Sequence, residues 1–269
     1  MVVASDDLCV AEVSCPGGPR EWSAEEPITD LSIVLVRSGF FRRRVDGVEL
    51  VVDPMIGYVQ RTGSVQQVAH PCGGDACTVI QPSVGALGEL ADATHSFPSH
   101  VVIQAGLDLE HRVLLARARR GADAFELLER AVVLAGSLLS ALTTEAMRLS
   151  RAPNGARARS ITDQVRQLLS DRANLGLVEL ARMIEISPFH LSRSFRNVTG
   201  MTLTRYRRQI RMKQALQRLA AGDSDLAGLA ADLGFSDQAH FTRATRAEIG
   251  ATPGEVRALL APRGATRRI

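Results

Sequence analysis

The chain has 269 residues, which suits two domains of ordinary size. Its hydrophobic fraction of 45% and charged fraction of 23% are typical of a globular protein and exclude a disordered or fibrous chain. The charges are unevenly divided: residues 1–150 carry 12 Arg and 19 Asp or Glu, a net charge of −7, whereas residues 151–269 carry 20 Lys or Arg and 10 Asp or Glu, a net charge of +10. This asymmetry predicts that the second half meets a polyanion such as nucleic acid.

Membrane insertion and export are not expected. The longest apolar run, around 131–142, is shorter than a membrane-spanning helix and is flanked by charges. Residues 1–7 contain neither the basic nor the apolar region of a signal peptide. A cytoplasmic location is therefore expected.

Short strand-like runs fill the first third of the chain. The dipeptide Asp46-Gly47 between two such runs is a strong hairpin-turn signal. Many short strands separated by turns predict a small antiparallel barrel or sandwich. The predicted strands are 31–36, 40–45, 48–52, 55–59, 66–69 and 78–81.

Two helices are predicted after the strands, over 108–120 and 123–149. The second has more apolar positions than a single stripe requires, so one face could cover the sheet while another meets a partner. We expect a homodimer formed through this helix, with a contribution from 108–120. Burial of both faces within one chain is the alternative.

All four cysteines lie in the acidic half, and three of them lie near His70 or in a second glycine-rich loop. The segment 70–77 reads HPCGGDAC, so thiols and an imidazole could converge there on zinc or another soft metal. The spacings are not those of a zinc knuckle. A redox-active pair and inert thiols are the competing interpretations. The candidate metal ligands are Cys15, His70, Cys72 and Cys77.

The segment 151–159 contains Pro, Asn and Gly and is the predicted linker between a sensor and dimerisation domain at 1–150 and a second domain at 160–269. The second domain contains one sequence pattern in two copies. The copies are 49 residues apart at their start and 50 residues apart after one inserted residue in the second turn. Leu180 matches Leu229, Arg193 matches Arg243, and Gly200 matches Gly250.

Each copy of the pattern is typical of a helix, a tight turn and a second helix. Ser187-Pro188 is a helix start, Ser236 is its counterpart in the second copy, and Gly200 and Gly250 are helix ends. This is the pattern of a helix-turn-helix, whose second helix enters the DNA major groove. Two ordinary helical hairpins are the alternative, which the matched caps and matched arginines disfavour.

An uninterrupted helix is predicted over 202–220 between the two copies. Nineteen helical residues span about 28 Å, close to the roughly 34 Å of one B-DNA turn. The helix could therefore hold two reading helices near successive major grooves. Its arginines, predicted to pair with phosphate, are Arg205, Arg207, Arg208, Arg211 and Arg218.

The residues from about 160 to 260 resemble the DNA-binding domain of AraC/XylS-type bacterial regulators. The most specific stretch is GFSDQAHFTR followed by IGATPGEVR. Glu185 departs from the family, which often has Gly in that turn, while Gly234 keeps it. The resemblance implies a cupin-like sensor in the first half. It also implies base readout by the second helix of each unit, and together with the exposed polar face of those helices it gives the DNA-contact set Phe189, Ser192, Arg193, Arg196, Gln238, Ala239, His240, Thr242 and Arg243.

The expected fold class is α+β, with an N-terminal antiparallel cupin-like β-barrel and helices and a C-terminal all-α double helix-turn-helix. The expected function is that of a transcription regulator, not an enzyme, which binds double-stranded DNA under the control of a small-molecule or metal effector. Zinc is the candidate cofactor, and RNA polymerase is a partner if the protein activates. One alternative is an Ada-like methyl acceptor, but the acidic charge of the first half argues against it. The other is a cupin-type enzyme fused to a DNA-binding module, but His70 lacks the neighbouring His of a metal triad.

Overall fold

The structure is a computed structural model and describes residues 1–18, 20–71, 73–83, 97–151, 155–172 and 175–261. The strands are β1 Val3–Ala4, β2 Leu8–Cys15, β3 Glu26–Pro27, β4 Ser32–Ser38, β5 Phe41–Val45, β6 Val48–Val52, β7 Ile56–Gln60, β8 Val65–Ala69, β9 Asp75–Pro82 and β10 His100–Val102. The helices are α1 Ala105–Arg119, α2 Ala124–Arg151, α3 Ala156–Asp171, α4 Leu177–Met183, α5 Pro188–Thr199, α6 Leu203–Ala220, α7 Leu226–Asp232, α8 Gln238–Ile249 and α9 Pro253–Leu260.

The N-terminal strands form two antiparallel sheets. Within the described ranges, one sheet has the order β1-β2-β9-β4-β7-β10 and the other the order β3-β8-β5-β6. The predicted closed barrel is therefore wrong, because each sheet keeps two edges. The predicted hairpin at Asp46-Gly47 is confirmed: both residues have positive φ, 48° and 81°, and Val45 pairs with Val48.

Strand β4 explains why the sheets stack instead of closing. Its residues alternate between two buried environments, because successive side chains point to opposite faces. Ile33 and Leu35 pack toward α2, with Leu134 and Leu138. Val34 and Val36 pack with residues of the second sheet, such as Phe41. The larger sheet is thus covered on both faces, by a helix and by a sheet.

Helices α3 to α9 form the C-terminal half around two further apolar clusters. The first joins α3, α4, α5 and the start of α6, and it also takes in Met55 from the β6–β7 connection. The second joins α6 to α9 with Ala105, Val113 and Ala116 of α1. Helix α1 therefore packs in both halves, because its Leu114 lies in the cluster between the larger sheet and α2. Nowhere in the described ranges is a helix long and apolar enough to cross a membrane.

Candidate nucleic-acid interface

Two helix-turn-helix units are present, α4–α5 and α7–α8. The predicted start of α5 is confirmed, because the hydroxyl oxygen of Ser187 accepts a hydrogen bond from the backbone N–H of His190 at 3.2 Å and Pro188 is the first helical residue. The predicted ends are also confirmed, with Gly200 at φ 72° and Gly250 at φ 82°, both left-handed.

The predicted N-cap Ser236 is wrong. The cap of α8 is Asp237, whose carboxylate accepts a hydrogen bond from the backbone N–H of His240 at 2.6 Å. This bond lowers the pKa of Asp237, so the cap stays charged at the positive end of the helix. The hydroxyl of Ser236 lies 3.1 Å from the Nδ1 atom of His240 instead. Asp237 is the residue that an offset of 50 pairs with Ser187.

The side chains predicted to contact DNA form an accessible face on each second helix. In α5, Phe189 is 76% exposed, Arg193 and Arg196 are exposed, and Ser192 is half-buried. The buried side of α5 instead carries Leu191 and Phe195. In α8 the corresponding residues are exposed or, for Thr242, half-buried: Gln238, Ala239, His240, Thr242 and Arg243.

The connecting helix α6 makes contacts within the protein through its arginines. Arg205 bonds to Gln104, Arg208 to Glu248, Arg211 to the carbonyl of Gly234, and Arg218 to Asp223 and Asp232. These contacts hold α6 against the second unit and against α1. Pairing of these arginines with DNA phosphate stays a prediction.

Buried charges join the two halves of the chain at α6 and α3. Arg166 of α3 is 4% exposed and its Nη2 atom lies 2.9 Å from an oxygen of Asp53. Its Nε atom donates to the hydroxyl of Tyr206 at 3.1 Å. Burial alone would lower the pKa of Arg166, but Asp53 and Tyr206 outweigh it and raise that pKa. The pair was not predicted from the sequence, because no pattern of residues around Asp53 indicates that its side chain is buried.

Lys213 is a second buried charge in the same interface. It is 4% exposed, and its Nζ atom donates to the carbonyl of Pro54 at 2.6 Å and lies 4.0 Å from a carboxylate oxygen of Asp108. In the sequence it reads as a basic interruption of an apolar face. In the structure its ammonium group fastens α6 to the β6–β7 connection and to α1.

Two cavities adjoin these elements. A cavity of about 240 Å³ lies between the larger sheet and α2, and its walls include Ile33, Ile80 and Leu139. A second cavity, of about 350 Å³, lies between the two halves, where Gly39 and Arg37 face Lys213. The first is mostly apolar, with Asp7 in its lining, and the second is lined by Arg37, Arg112 and Lys213 together with Asp53.

The predicted metal ligands are brought together only in part. Cys15 and His70 converge with Asp75, which the sequence analysis did not include: one ligand atom from each lies within 4.8 Å of the others. The thiol of Cys77 donates to Asp75 at 3.1 Å. Cys72 lies outside the described residues. Asp75 could have been found as an oxygen donor in the same loop as His70.

Comparison with known proteins agrees with this geometry. Residues 180–259 match a family model described as a helix-turn-helix domain. The regulatory protein SoxS of Salmonella typhimurium is 35% identical over 83 residues, which are 31% of this chain and 78% of SoxS. The chain belongs to the AraC family. The arabinose operon regulatory protein of Escherichia coli (strain K12) is 30% identical over 106 residues, 39% of this chain and 36% of that protein.

The AraC-family match is confined to the C-terminal half. The chain spans little more than a third of the arabinose operon regulatory proteins that it matches. Apo ToxT K231A from Vibrio cholerae aligns over 96% of this chain and 100% of its own, but with 10% identity and a TM-score of 0.41. Likeness at that level carries no argument about the sensor half.

Proposed function

We propose that this AraC-family chain is a sequence-specific DNA-binding transcription regulator, in which residues 1–150 sense an effector and control how α5 and α8 meet DNA. The observation that carries the proposal is the pair of equivalent, exposed helix faces on α5 and α8. Each presents arginine and small polar side chains, the groups that read base edges in the major groove. The proposal contains no catalytic step.

The electrostatics of the chain support the same function. The net charge of +10 lies in residues 151–269, the half that carries both faces, while the sensor half is acidic. A basic half attracts duplex DNA and an acidic half keeps the sensor away from it. An Ada-like acceptor would need its reactive cysteines near DNA, which the acidic half disfavours.

Arginine substitutions on the two faces test DNA binding. Arg193→Ala and Arg243→Ala should each weaken binding to a selected operator by about 1–3 kcal/mol and relax base preference at the contacted positions. The operator is first selected from random duplexes, and affinity is then measured by fluorescence anisotropy at fixed salt.

Arg130→Ala is the matched control for the arginine substitutions, because Arg130 is an exposed arginine on α2 that pairs with Glu126. Its operator affinity should stay within twofold of the unsubstituted chain. The proposal fails if no sequence is enriched from the random pool, or if all three variants bind the selected operator equally well.

The effector is proposed to bind in one of the two cavities. The apolar cavity under α2 suits a hydrophobic molecule, and the cavity beside Arg37 and Lys213 suits an anion. A ligand at the second position touches both halves, so it can favour one arrangement of the halves over another. The resemblance of residues 1–150 to a cupin-like sensor domain stays a prediction. The closed barrel that was part of it is replaced by two sheets in the described residues. RNA polymerase is a partner if the regulator activates.

Self-association through α2 is a further part of the proposal. Phe125, Val132, Val133 and Met147 of α2 are each more than half exposed and lie within an arc of about 100° around the helix. Helix α1 cannot contribute the predicted dimer surface, because it packs against α2, α6, α8 and α9. The proposed partner is a second copy of α2.

Sedimentation equilibrium tests the dimer. The unsubstituted chain should sediment as a dimer at micromolar concentration, and Val132→Glu should sediment near the monomer mass of 29.0 kDa. A charge placed in an apolar contact costs several kcal/mol. Ala124→Glu, which lies off this face at the start of α2, should leave the dimer intact. A monomer at every micromolar concentration contradicts the proposal.

A further inference from the structure

The cluster around His70 is a second candidate site, away from the DNA-reading faces. Cys15 ends β2, Asp75 begins β9, and the two are direct cross-strand partners. His70 follows β8 and enters from the smaller sheet, where its ring stacks on Phe41 with centroids 5.5 Å apart. Three different chemical groups therefore meet where both sheets end.

Glycines allow this close approach. A Cβ atom at Gly74 would collide with the carbonyl oxygen of Cys15, and one at Gly39 would lie 2.7 Å from Asp75. A Cβ atom at Gly18 would lie 2.6 Å from the Nδ1 atom of His70. Backbone thus closes in on the three side chains from three directions, and a larger residue at any of these positions would displace a member of the cluster.

The polar groups of the cluster are only partly satisfied by one another. His70 is 7% exposed, and its Nε2 atom lies 2.8 Å from the Oδ1 atom of Asp75. Among the described residues its Nδ1 atom is buried without a hydrogen-bond partner. Nε2 is thus the His70 atom that faces Asp75, and Nδ1 is the atom that can hold the ring proton when Nε2 binds a cation.

Cys77 orients the carboxylate instead of completing the ring of ligand atoms. The Cys77 thiol donates a hydrogen bond to the Oδ2 atom of Asp75 at 3.1 Å, on the side of the carboxylate away from the contact with His70. This is the arrangement in which a neighbouring hydrogen bond fixes a metal-binding carboxylate.

We propose that Cys15, His70 and Asp75 bind one divalent cation of the zinc class, with Cys77 as a positioning residue for Asp75. A sulfur, a nitrogen and an oxygen donor favour Zn²⁺ over Mg²⁺ or Ca²⁺, which prefer oxygen ligands alone. On binding, Cys15 releases its thiol proton to solvent, the ring proton of His70 moves from Nε2 to Nδ1, and the cation replaces the hydrogen bond between His70 and Asp75. Cys15 is half-buried, so water can occupy the fourth position.

Metal stoichiometry of the full chain tests the site. The protein is purified anaerobically, stripped with chelator and dialysed against a zinc buffer. It should retain about one Zn²⁺ per chain, and Co²⁺ in its place should give a thiolate-to-cobalt charge-transfer band. Cys15→Ser and Asp75→Asn should each lose the band and the stoichiometric ion. Cys9→Ser, which removes a thiol of β2 outside the cluster, should behave as the unsubstituted chain.

Two further measurements separate metal loss from misfolding. Zinc should raise the melting temperature of the unsubstituted chain and of Cys9→Ser, because it binds the folded state, and should not raise that of Cys15→Ser. With chelator present all three should melt together. Cys77→Ala should weaken zinc affinity by about 10–100-fold, whereas Cys77→Ser keeps a donor to Asp75 and should lose less.

The site is overturned by any of three results. These are less than about half a zinc ion per reduced chain, where a single site holds one, unchanged zinc binding in both Cys15→Ser and Asp75→Asn, or a Cys15–Cys77 disulfide as the form isolated from cells. The inference goes beyond the proposed regulator function. It stands or falls on metal content alone, whether or not the chain binds an operator.

Discussion

Glu185 and Gly234 occupy equivalent turns of the two helix-turn-helix units, and both have a left-handed backbone, with φ of 57° and 74°. The departure of Glu185 from the family therefore leaves the turn conformation intact. A side chain at such a φ costs about 1–2 kcal/mol, so the first unit carries strain that the second avoids. Helix α5, which is proposed to contact DNA, follows the Glu185 turn in spite of this cost.

Substitution at Gly234 measures that cost. Gly234→Ala should lower the free energy of unfolding by about 1 kcal/mol or more, because alanine disfavours positive φ. Gly254→Ala is the control: a Cβ there would lie no closer than 4.0 Å to the Oγ1 atom of Thr252 and the position is inside α9, so alanine should raise stability by up to about 1 kcal/mol. Urea unfolding checks both, and equal effects at the two positions would contradict the argument.

Residues of the proposed DNA-contact site could be predicted individually where a local sequence pattern determines their position. Exposure of Arg193 and Arg243 follows from helical spacing, and the Gly200 and Gly250 ends follow from composition. The roles of Asp53, Lys213 and Asp75 depend on which distant segments they meet. These contacts between distant segments leave no periodic pattern in the sequence, so they could not be predicted from it.

Elements were predicted well when their apolar period was strong. Strand β6 was predicted over the same residues, and β4, β5, β7 and β8 were predicted to within two residues at each end. Strand β2 was missed because it alternates partly buried and exposed residues within an acidic stretch. Helix α3 was missed because a predicted linker and a run of arginines precede its apolar positions Ile161, Val165 and Leu169.

Helix α1 contains a buried histidine with a consequence for acid stability. His111 is 1% exposed and its Nε2 atom lies 2.8 Å from the hydroxyl of Thr78 in β9. Burial lowers its pKa from 6.5 to about 3, although the charge of Asp108 opposes the shift. The unfolded chain therefore takes up a proton below pH 6.5 that the folded chain does not. The stabilisation is complete above pH 6.5 and is lost as the pH falls toward 3.

His111→Gln should reduce this pH dependence. In urea unfolding at pH 7.5 and 5.5, the unsubstituted chain should lose about 1 kcal/mol more stability than the variant, because only His111 in the former can bind the extra proton when unfolded. The exposed His190 provides the control His190→Gln, which should keep the full difference. An identical difference in all three proteins would contradict the assignment.

At the scale of the whole molecule, buried charges hold the halves together. Arg166 with Asp53, and Lys213 with the Pro54 carbonyl, lie in the interface at 4% exposure or less for each cation. Breaking a buried pair by removing one partner costs about 3–5 kcal/mol. Separating the halves would instead return both charges of each contact to water, so an effector shifts the halves only by its difference in affinity between the two arrangements.

Helix α1 also changes what counts as a module in this protein. The family model matches residues 180–259, yet Ala105, Val113 and Ala116 lie in one cluster with Leu216, Leu229 and Phe241. The matched segment and the unit that folds therefore have different borders. A chimaera joined at the linker would keep the core of the second helix-turn-helix only if its new first half supplies a helix equivalent to α1.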